Sequence, residues 1–267
     1  MCAAVPELSI HLPSSLRERT RCVDLAGVPA LVVHPAFDAA SPSAALPEVP
    51  WLLWMHGRTA SKEIDPGRAL RLIRAGIGSV LLDLPGHGAR TDALLQLERN
   101  AFRVVEAMVS EIDEVVASVA GLGGFDQSRI AIGGMSAGGM AALGRLITSH
   151  PFCACSLECT SGDLDSLRGR EIFDASRAAR LNPITQLSAW RSIPVQVLHN
   201  VGDALVPIEA QRRFVAALRE RTTPAELVEM HEFTNTGAPS EHAGFGKFGA
   251  EAKDLQTAFL VRAFGMH

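Results

Sequence analysis

The chain has 267 residues, enough for one large α/β domain or two small ones, and 47% of them are apolar, an ordinary share for a protein with a sizeable core. Its net charge is −4 and its basic residues are scattered apart from the short Arg17–Arg21 stretch, so no footprint for nucleic acid or another polyanion is expected. No apolar run approaches the roughly 18 residues that a membrane helix needs, and the start, MCAAVPELSIHLPSSLRERT, lacks the basic stretch and apolar core of a secretory signal, which makes a cytoplasmic protein the default expectation.

Along the chain, Arg19–Leu25 and Pro29–Val33 are strand-like runs joined by Ala26-Gly27-Val28 and read as an antiparallel hairpin. Residues Ala36–Pro50, rich in Ala, Ser and Pro, predict a loop, and the continuous apolar run Trp51–Met55 predicts a buried parallel strand. A helix over Pro66–Ala75 starts with Pro in its first turn, Ser79–Leu84 is the next strand, and Asn100–Ala120 carries apolar residues at helical spacing up to Gly121. Arg129–Gly133 reads as a strand, Ala137–Ser149 as a helix stopped by Pro151, and Phe152–Cys159 as a strand. Thr160–Trp190 breaks the alternation and is expected to form a small helical insertion at one end of the sheet. Val195–His199 (strand), Ile208–Arg221 (helix), Glu226–His231 (strand) and Lys253–Phe264 (helix) complete the chain. The alternation implies an α/β fold: a mostly parallel twisted sheet with an antiparallel N-terminal hairpin and helices on both faces, in a single domain over residues 1–267.

There are five cysteines, Cys2, Cys22, Cys153, Cys155 and Cys159. An odd count with three in one apolar stretch argues against a disulfide framework, and CACSLEC has the look of a buried strand, where Cys acts as a small hydrophobe, so no metal site is expected.

Gly134-Met135-Ser136-Ala137-Gly138 matches G-x-S-x-G, preceded by the strand RIAIG and followed by a helix. On such a strand-to-helix turn, side chains at Gly134 or Gly138 would collide with neighbouring backbone, and the turn lifts the Ser136 hydroxyl above the sheet edge at the N–H end of a helix. His56-Gly57-Arg58-Thr59, directly after a strand, is placed to supply an oxyanion donor, the Arg58 N–H, beside that of Ala137; the His56 ring is expected to brace the loop.

A hydroxyl nucleophile needs a base and a group to orient it. Of the histidines after Ser136, His150 sits at a helix end on the wrong side of the sheet, His199 and His231 are at strand ends, His267 is terminal, and His242 lies in the Gly-, Ser- and Pro-rich loop TGAPSEHAGFG between the last strand and last helix. His242 is preferred over His231. Asp203, in HNVGDALVP, is the preferred acid, with helix capping as its competing role; Glu158 and Asp163 are the other candidates. Asp83 and His87 in DLPGHG are too close in sequence to reach the serine as a triad and are expected to form a turn that shapes the pocket.

The segments MHGRTASKE (Met55–Glu63), LDLPGHG (Leu82–Gly88), GGMSAGG (Gly133–Gly139), HNVGDALVP (His199–Pro207) and EHAGF (Glu241–Phe245), in that order, resemble the α/β-hydrolase superfamily, and within it the compact bacterial serine esterases akin to dienelactone hydrolase and the prolyl oligopeptidase catalytic domain. The resemblance implies a Ser136–His242–Asp203 triad, Arg58 and Ala137 as oxyanion donors, no cofactor, and hydrolysis of a small-molecule ester; thioesterase, peptidase, acyltransferase and a non-catalytic binding protein of the same fold are the alternatives. Dienelactone hydrolase itself uses cysteine where this chain has Ser136. Arg58 stands where many relatives carry an apolar or aromatic residue, so its side chain either favours an acidic substrate or points to solvent. Monomer and small homo-oligomer are both left open.

Overall fold

The computed structural model describes residues 12–38 and 45–266; Cys2, most of the N-terminal segment and His267 lie outside the described residues. Among the described residues eight strands form one sheet: β1 (Thr20–Leu25), β2 (Val28–Val33), β3 (Val49–Met55), β4 (Gly78–Leu82), β5 (Phe125–Met135), β6 (Ala154–Glu158), β7 (Val195–Asn200) and β8 (Val228–Phe233). Their spatial order is β1-β2-β4-β3-β5-β6-β7-β8. β1 and β2 are antiparallel to each other and β2 to β4, and every later pairing is parallel. The hairpin turn is the two residues Ala26 and Gly27, both at positive φ, 55° and 86°, as a type I′ turn requires; Val28 therefore belongs to the strand and not to the turn.

The helices are α1 (Ser14–Arg17), α2 (Pro66–Arg74), α3 (Ala101–Ala120), α4 (Ala137–Leu146), α5 (Ala175–Leu181), α6 (Ile208–Arg221) and α7 (Gly249–Ala263). The larger apolar core, which includes Phe102, Met108, Leu143, Ile132 and Phe214, lies on the face covered by α3, α4 and α6. A second core on the opposite face packs Leu72 of α2 and Phe259 and Leu260 of α7 against Leu52, Trp54 and Leu81. Such doubly covered parallel strands read as unbroken apolar runs.

The expected segments are present, several with shifted ends. β3 begins at Val49, inside the expected Ala36–Pro50 loop, because Val49 pairs with Phe125 across an irregular register step. β5 starts at Phe125, well before Arg129, through a polar half, Asp126–Arg129, that sits near the surface and hides the strand pattern. β4 stops at Leu82; beyond it the Asp83 N–H still donates to the Pro29 carbonyl (3.1 Å), while the Asp83 carboxylate accepts from the Lys62 and Ala89 N–H groups. α4 ends at Leu146, short of Ser149: the Arg145 guanidinium reaches forward to the Ser149 carbonyl and the Thr148 hydroxyl. β6 is shorter than Phe152–Cys159, β8 is displaced to Val228–Phe233, and α7 starts at Gly249, four residues before Lys253. α1 was not expected. Between β6 and β7 the chain forms short helical pieces, the 3-10 turns Leu164–Leu167, Pro183–Thr185 and Leu187–Ala189 and the helix α5, whose N-cap Asp174 accepts from the Arg177 N–H. Among the described residues no helix is long and apolar enough to cross a membrane.

Candidate active site

Ser136 stands between β5 and α4 with φ 51° and ψ −117°, a conformation that a non-glycine residue adopts only when its surroundings enforce it. Three contacts do so: its N–H donates to the Glu158 carbonyl (2.9 Å), and its own carbonyl accepts from the Met140 N–H (2.9 Å) and the Thr160 hydroxyl (2.7 Å). A Cβ added at Gly134 would overlap the backbone of Gly138 and Gly139, and one at Gly138 would overlap the Met55 and His56 carbonyls. The turn is this tight because both positions lack side chains.

The structure brings Ser136, His242 and Asp203 together from three loops at one edge of the sheet. His242 Nε2 is 2.8 Å from Ser136 Oγ and its Nδ1 is 2.7 Å from Asp203 Oδ2. A carboxylate only accepts, so Nδ1 carries the proton and Nε2 is left as an acceptor for the hydroxyl. Asp203 is held in turn: its Oδ1 accepts from the Leu205 and Val206 N–H groups, both at 2.8 Å. It caps this turn and no helix, since α6 begins after Pro207 without a side-chain cap.

Asn200, at the end of β7, was not singled out from sequence. Its buried side-chain amide donates to the carbonyls of Glu241 (2.6 Å) and Gly244 (2.8 Å), which bracket His242. Thr236 adds a second tie through the Glu241 carboxylate (2.7 Å). The proximity of Asn200 to Asp203 was the available signal; the partner carbonyls, some 40 residues on, carried none.

The other candidates are engaged elsewhere. Glu158 is clamped by Arg68 through two hydrogen bonds, 2.8 and 3.0 Å, and Asp163 pairs with Arg213 at 2.7 Å. His231 faces Glu229 on the same strand, and His150 stacks on Phe152 beside Arg191. His199 is buried against Asp203: its Nε2 donates to the Val206 carbonyl (2.9 Å) and lies 3.7 Å from Asp203 Oδ2, and burial lowers its pKa. Arg68, 4% exposed and absent from the sequence reading, lies over the Trp54 ring at 3.7 Å and also bonds to Asp65 and Gln256.

His56 uses both ring nitrogens within the loop that carries Arg58. Nδ1 donates to the Gly57 carbonyl (2.6 Å) and Nε2 accepts the Leu84 N–H (3.1 Å). Burial keeps the ring neutral by lowering its pKa to about 4. The Arg58 side chain lies along the cavity wall and donates to the Gln96 carbonyl (2.9 Å), so it is not a free solvent-directed cation. Ala137 is the first residue of α4, where a helix leaves its N–H without an intrahelical acceptor.

Ser136, Ala137, Arg58 and His242 line one cavity of about 520 Å³, within the range of small-molecule sites. None of residues 83–88 lines it, so the DLPGHG turn acts on the pocket only through the 56–62 loop. Asp83 accepts from the Lys62 N–H (2.9 Å), Lys62 Nζ (2.7 Å) and the Ala89 N–H (2.8 Å), and so holds the 56–62 loop from behind. The described cysteines are free, and burial raises the thiol pKa of Cys155 and Cys159. Among the described residues no group of three or more His, Cys, Asp or Glu is gathered as metal ligands.

Esterase YjfP of Escherichia coli (strain K12) is 25% identical over 214 residues, 74% of this chain and 83% of that protein. TT1662 of Thermus thermophilus has a similar structure, with a TM-score of 0.71 at 21% identity over 93% of this chain and 99% of the other. A Mycobacterium tuberculosis puromycin-hydrolyzing peptidase matches 97% of this chain with 41% of its own length, at a TM-score of 0.74 and 22% identity. Thermogutta terrifontis esterase 2, in a form phosphonylated by sarin, has a TM-score of 0.64 at 17% identity over 91% and 92% of the two chains. No protein-family model matches the chain. The sheet order, the strained turn at Ser136 and these structural likenesses show that the chain has the α/β-hydrolase fold.

Proposed function

We propose that the protein is a serine hydrolase of the dienelactone hydrolase/prolyl oligopeptidase-like group that cleaves small carboxylic esters through an acyl-enzyme on Ser136. The observation that carries this reading is the continuous line from Ser136 Oγ through His242 to Asp203, with both hydrogen bonds between 2.7 and 2.8 Å. His242 Nε2 takes the Ser136 proton as Oγ attacks the ester carbonyl. The N–H groups of Arg58 and Ala137 hold the tetrahedral oxyanion. The protonated His242 then gives its proton to the leaving alcohol, Asp203 keeping the ring in one tautomer and stabilising its charge, and water repeats the sequence on the acyl-enzyme. The reaction draws on no cofactor, and the partner is a small-molecule ester. An esterase among the relatives and a phosphonylated esterase among the structural neighbours support this chemistry over a non-catalytic role.

The test is labelling of Ser136 by a fluorophosphonate probe together with burst release from p-nitrophenyl acetate. Both are expected in the wild type, and Ser136→Ala should abolish labelling and lower kcat by roughly 10⁴–10⁶-fold with the fold intact. Normal turnover by that variant would refute the assignment.

A further inference from the structure

The cavity above Ser136 has two sides, one adjoining each apolar core. Toward α3 and α4 its wall includes Met140, Leu167, Ile172, Leu205 and Val206. Met140, Leu167 and Val206 belong to the larger core, with Ile172 packed against it. Toward α2 and α7 the wall carries the charged residues Asp65, Arg68, Glu158 and Lys253 beside the apolar Trp54, Met135 and Ile64, the last 61% exposed, and Trp54 belongs to the core of the opposite face.

The charges on the α2/α7 side form one connected set. Arg68 is shared between Glu158 and Asp65, and Lys253 Nζ lies 3.5 Å from Asp65. Asp65 and Lys253 remain part-exposed at the wall, with side-chain exposures of 25% and 22%, so both retain hydrogen-bonding capacity for a ligand. The other side also has charged residues at its rim, Arg170 and Glu98, with side-chain exposures of 29% and 39%; Arg170 donates to the Leu205 carbonyl and faces Glu98 at 4.0 Å, and Arg58 donates to the Gln96 carbonyl.

His242 sets the direction of the substrate. A general acid must lie beside the leaving-group oxygen. The loop that carries it, Ser240–Phe245, lines the cavity and leads into α7, where Phe245 packs in one cluster with Ala252. The acyl group is left with the other side, past Met140, one turn below Ala137 in α4. Leu205, 49% exposed, continues the apolar wall to the rim.

We propose, building on the reading of Ser136 as nucleophile, that the substrate joins an apolar acyl chain to a polar, hydroxyl-bearing alcohol, with Ile172 and Leu205 contacting the chain and Asp65 and Lys253 the alcohol. A pair of esters with their halves exchanged tests the orientation: glyceryl monohexanoate, with the chain on the acyl side, and hexyl glycerate, with the chain on the alcohol. The first should show at least tenfold higher kcat/KM. Between p-nitrophenyl acetate and butyrate the rate constant should rise, by up to about fourfold for each added methylene that is fully buried. Ile172→Trp, which fills the apolar side, should lower the ratio of hexanoate to acetate hydrolysis tenfold or more, and Asp65→Asn with Lys253→Met should raise KM for glyceryl monohexanoate more than for ethyl hexanoate.

Equal rates for the exchanged pair, or a preference for hexyl glycerate, would overturn the assignment. So would faster hydrolysis of mono-p-nitrophenyl succinate than of p-nitrophenyl butyrate, because Arg58 and Arg170 would then be reading a carboxylate. Fluorophosphonate labelling of the wild type separates the two levels: unlabelled Ser136 removes the nucleophile itself, whereas labelled Ser136 with no preference in the exchanged pair removes only the substrate orientation.

Discussion

Asn200→Leu should disable the site without touching any of the three residues in the proposed relay. Asn200 is fully buried at the end of β7, where it pairs with Phe233 of β8, so its side chain is fixed to the sheet. Its Nδ2 donates to the carbonyls on either side of His242, at 2.6 and 2.8 Å, and thereby ties the imidazole loop to the same sheet edge that presents Asp203. Leucine keeps the branched four-atom skeleton, with somewhat greater volume, and removes both bonds. A net hydrogen bond is worth about 0.5–1.5 kcal/mol, and the Glu241 and Gly244 carbonyls sit in part-buried residues, so the docked loop loses about 1–3 kcal/mol. At 1.4 kcal/mol per factor of ten, its equilibrium with an undocked form moves by roughly 5–140-fold. The Thr236–Glu241 tie remains and holds part of the docked population. The expected outcome is a fall in kcat of about 10–100-fold with a smaller change in KM, measured on p-nitrophenyl butyrate, and faster amide exchange over residues 238–246. A folded variant with kcat within twofold of wild type and unchanged exchange there would refute the claim that Asn200 positions His242.

Further outcomes follow from neighbouring contacts. Asp203→Asn should lower kcat by about 10³–10⁴-fold, because an amide facing Nδ1 favours the tautomer that points a proton at Ser136; if Glu158→Gln or Asp163→Asn gave that loss instead, the acid would be misplaced. Arg68→Met should destabilise the fold by about 3–5 kcal/mol by leaving Glu158 charged and buried, and adding Glu158→Leu should recover most of it; urea denaturation of the three proteins checks this, and additive losses would contradict it. His56 has its folded pKa lowered from 6.5 to about 4, so its stability contribution is intact above about pH 6.5 and is lost as pH falls toward 4. At 1.36 kcal/mol per unit the loss totals about 3 kcal/mol, and His56→Gln should flatten that part of the stability–pH curve.

Local features of the site were legible because each is encoded within a few residues. The glycines at 134 and 138 announce a turn with no room for side chains, and the overlaps that a Cβ would make there are with backbone from this turn and from the end of β3. The loop between the last strand and last helix could be chosen for His242 by chain order alone, and His231 was separable as a strand residue, which the structure places beside Glu229. Long-range polar pairing was not legible. Arg68 has the spacing of an ordinary residue in an amphipathic helix, and Glu158 sits at a strand end as a candidate acid; nothing in either segment says that they are each other's partner across 90 residues. How the Asp83–His87 turn shapes the pocket was not legible for a related reason: nothing in DLPGHG shows that Asp83 pairs with Lys62 and so acts from behind the 56–62 loop.

The Arg68–Glu158 pairing has one cause, the demands of the strained turn at Ser136. Holding a serine at positive φ costs about 1–3 kcal/mol, so the surroundings must over-determine it. The Glu158 carbonyl does part of this by accepting the Ser136 N–H, which fixes the end of β6 beneath the turn and carries the Glu158 carboxylate into a buried position. A carboxylate there requires a cation with matched donors, and Arg68 supplies them in the two-pronged geometry that lysine lacks. Arg68 is itself desolvated and needs a surface for its planar face, which Trp54 provides at 3.7 Å. Each step follows from the one before, so the charged side of the cavity originates in the support of Ser136. Its exposed end, Asp65 with Lys253, is then available to a polar alcohol at no further cost in burial. Arg68→Lys separates the two functions: it keeps the charge and loses the planar fork, and should loosen the turn, lowering kcat, while the Asp65–Lys253 end still distinguishes glyceryl from ethyl hexanoate by KM. A variant that lost this discrimination with kcat intact would show that the charged floor serves the substrate and not the turn.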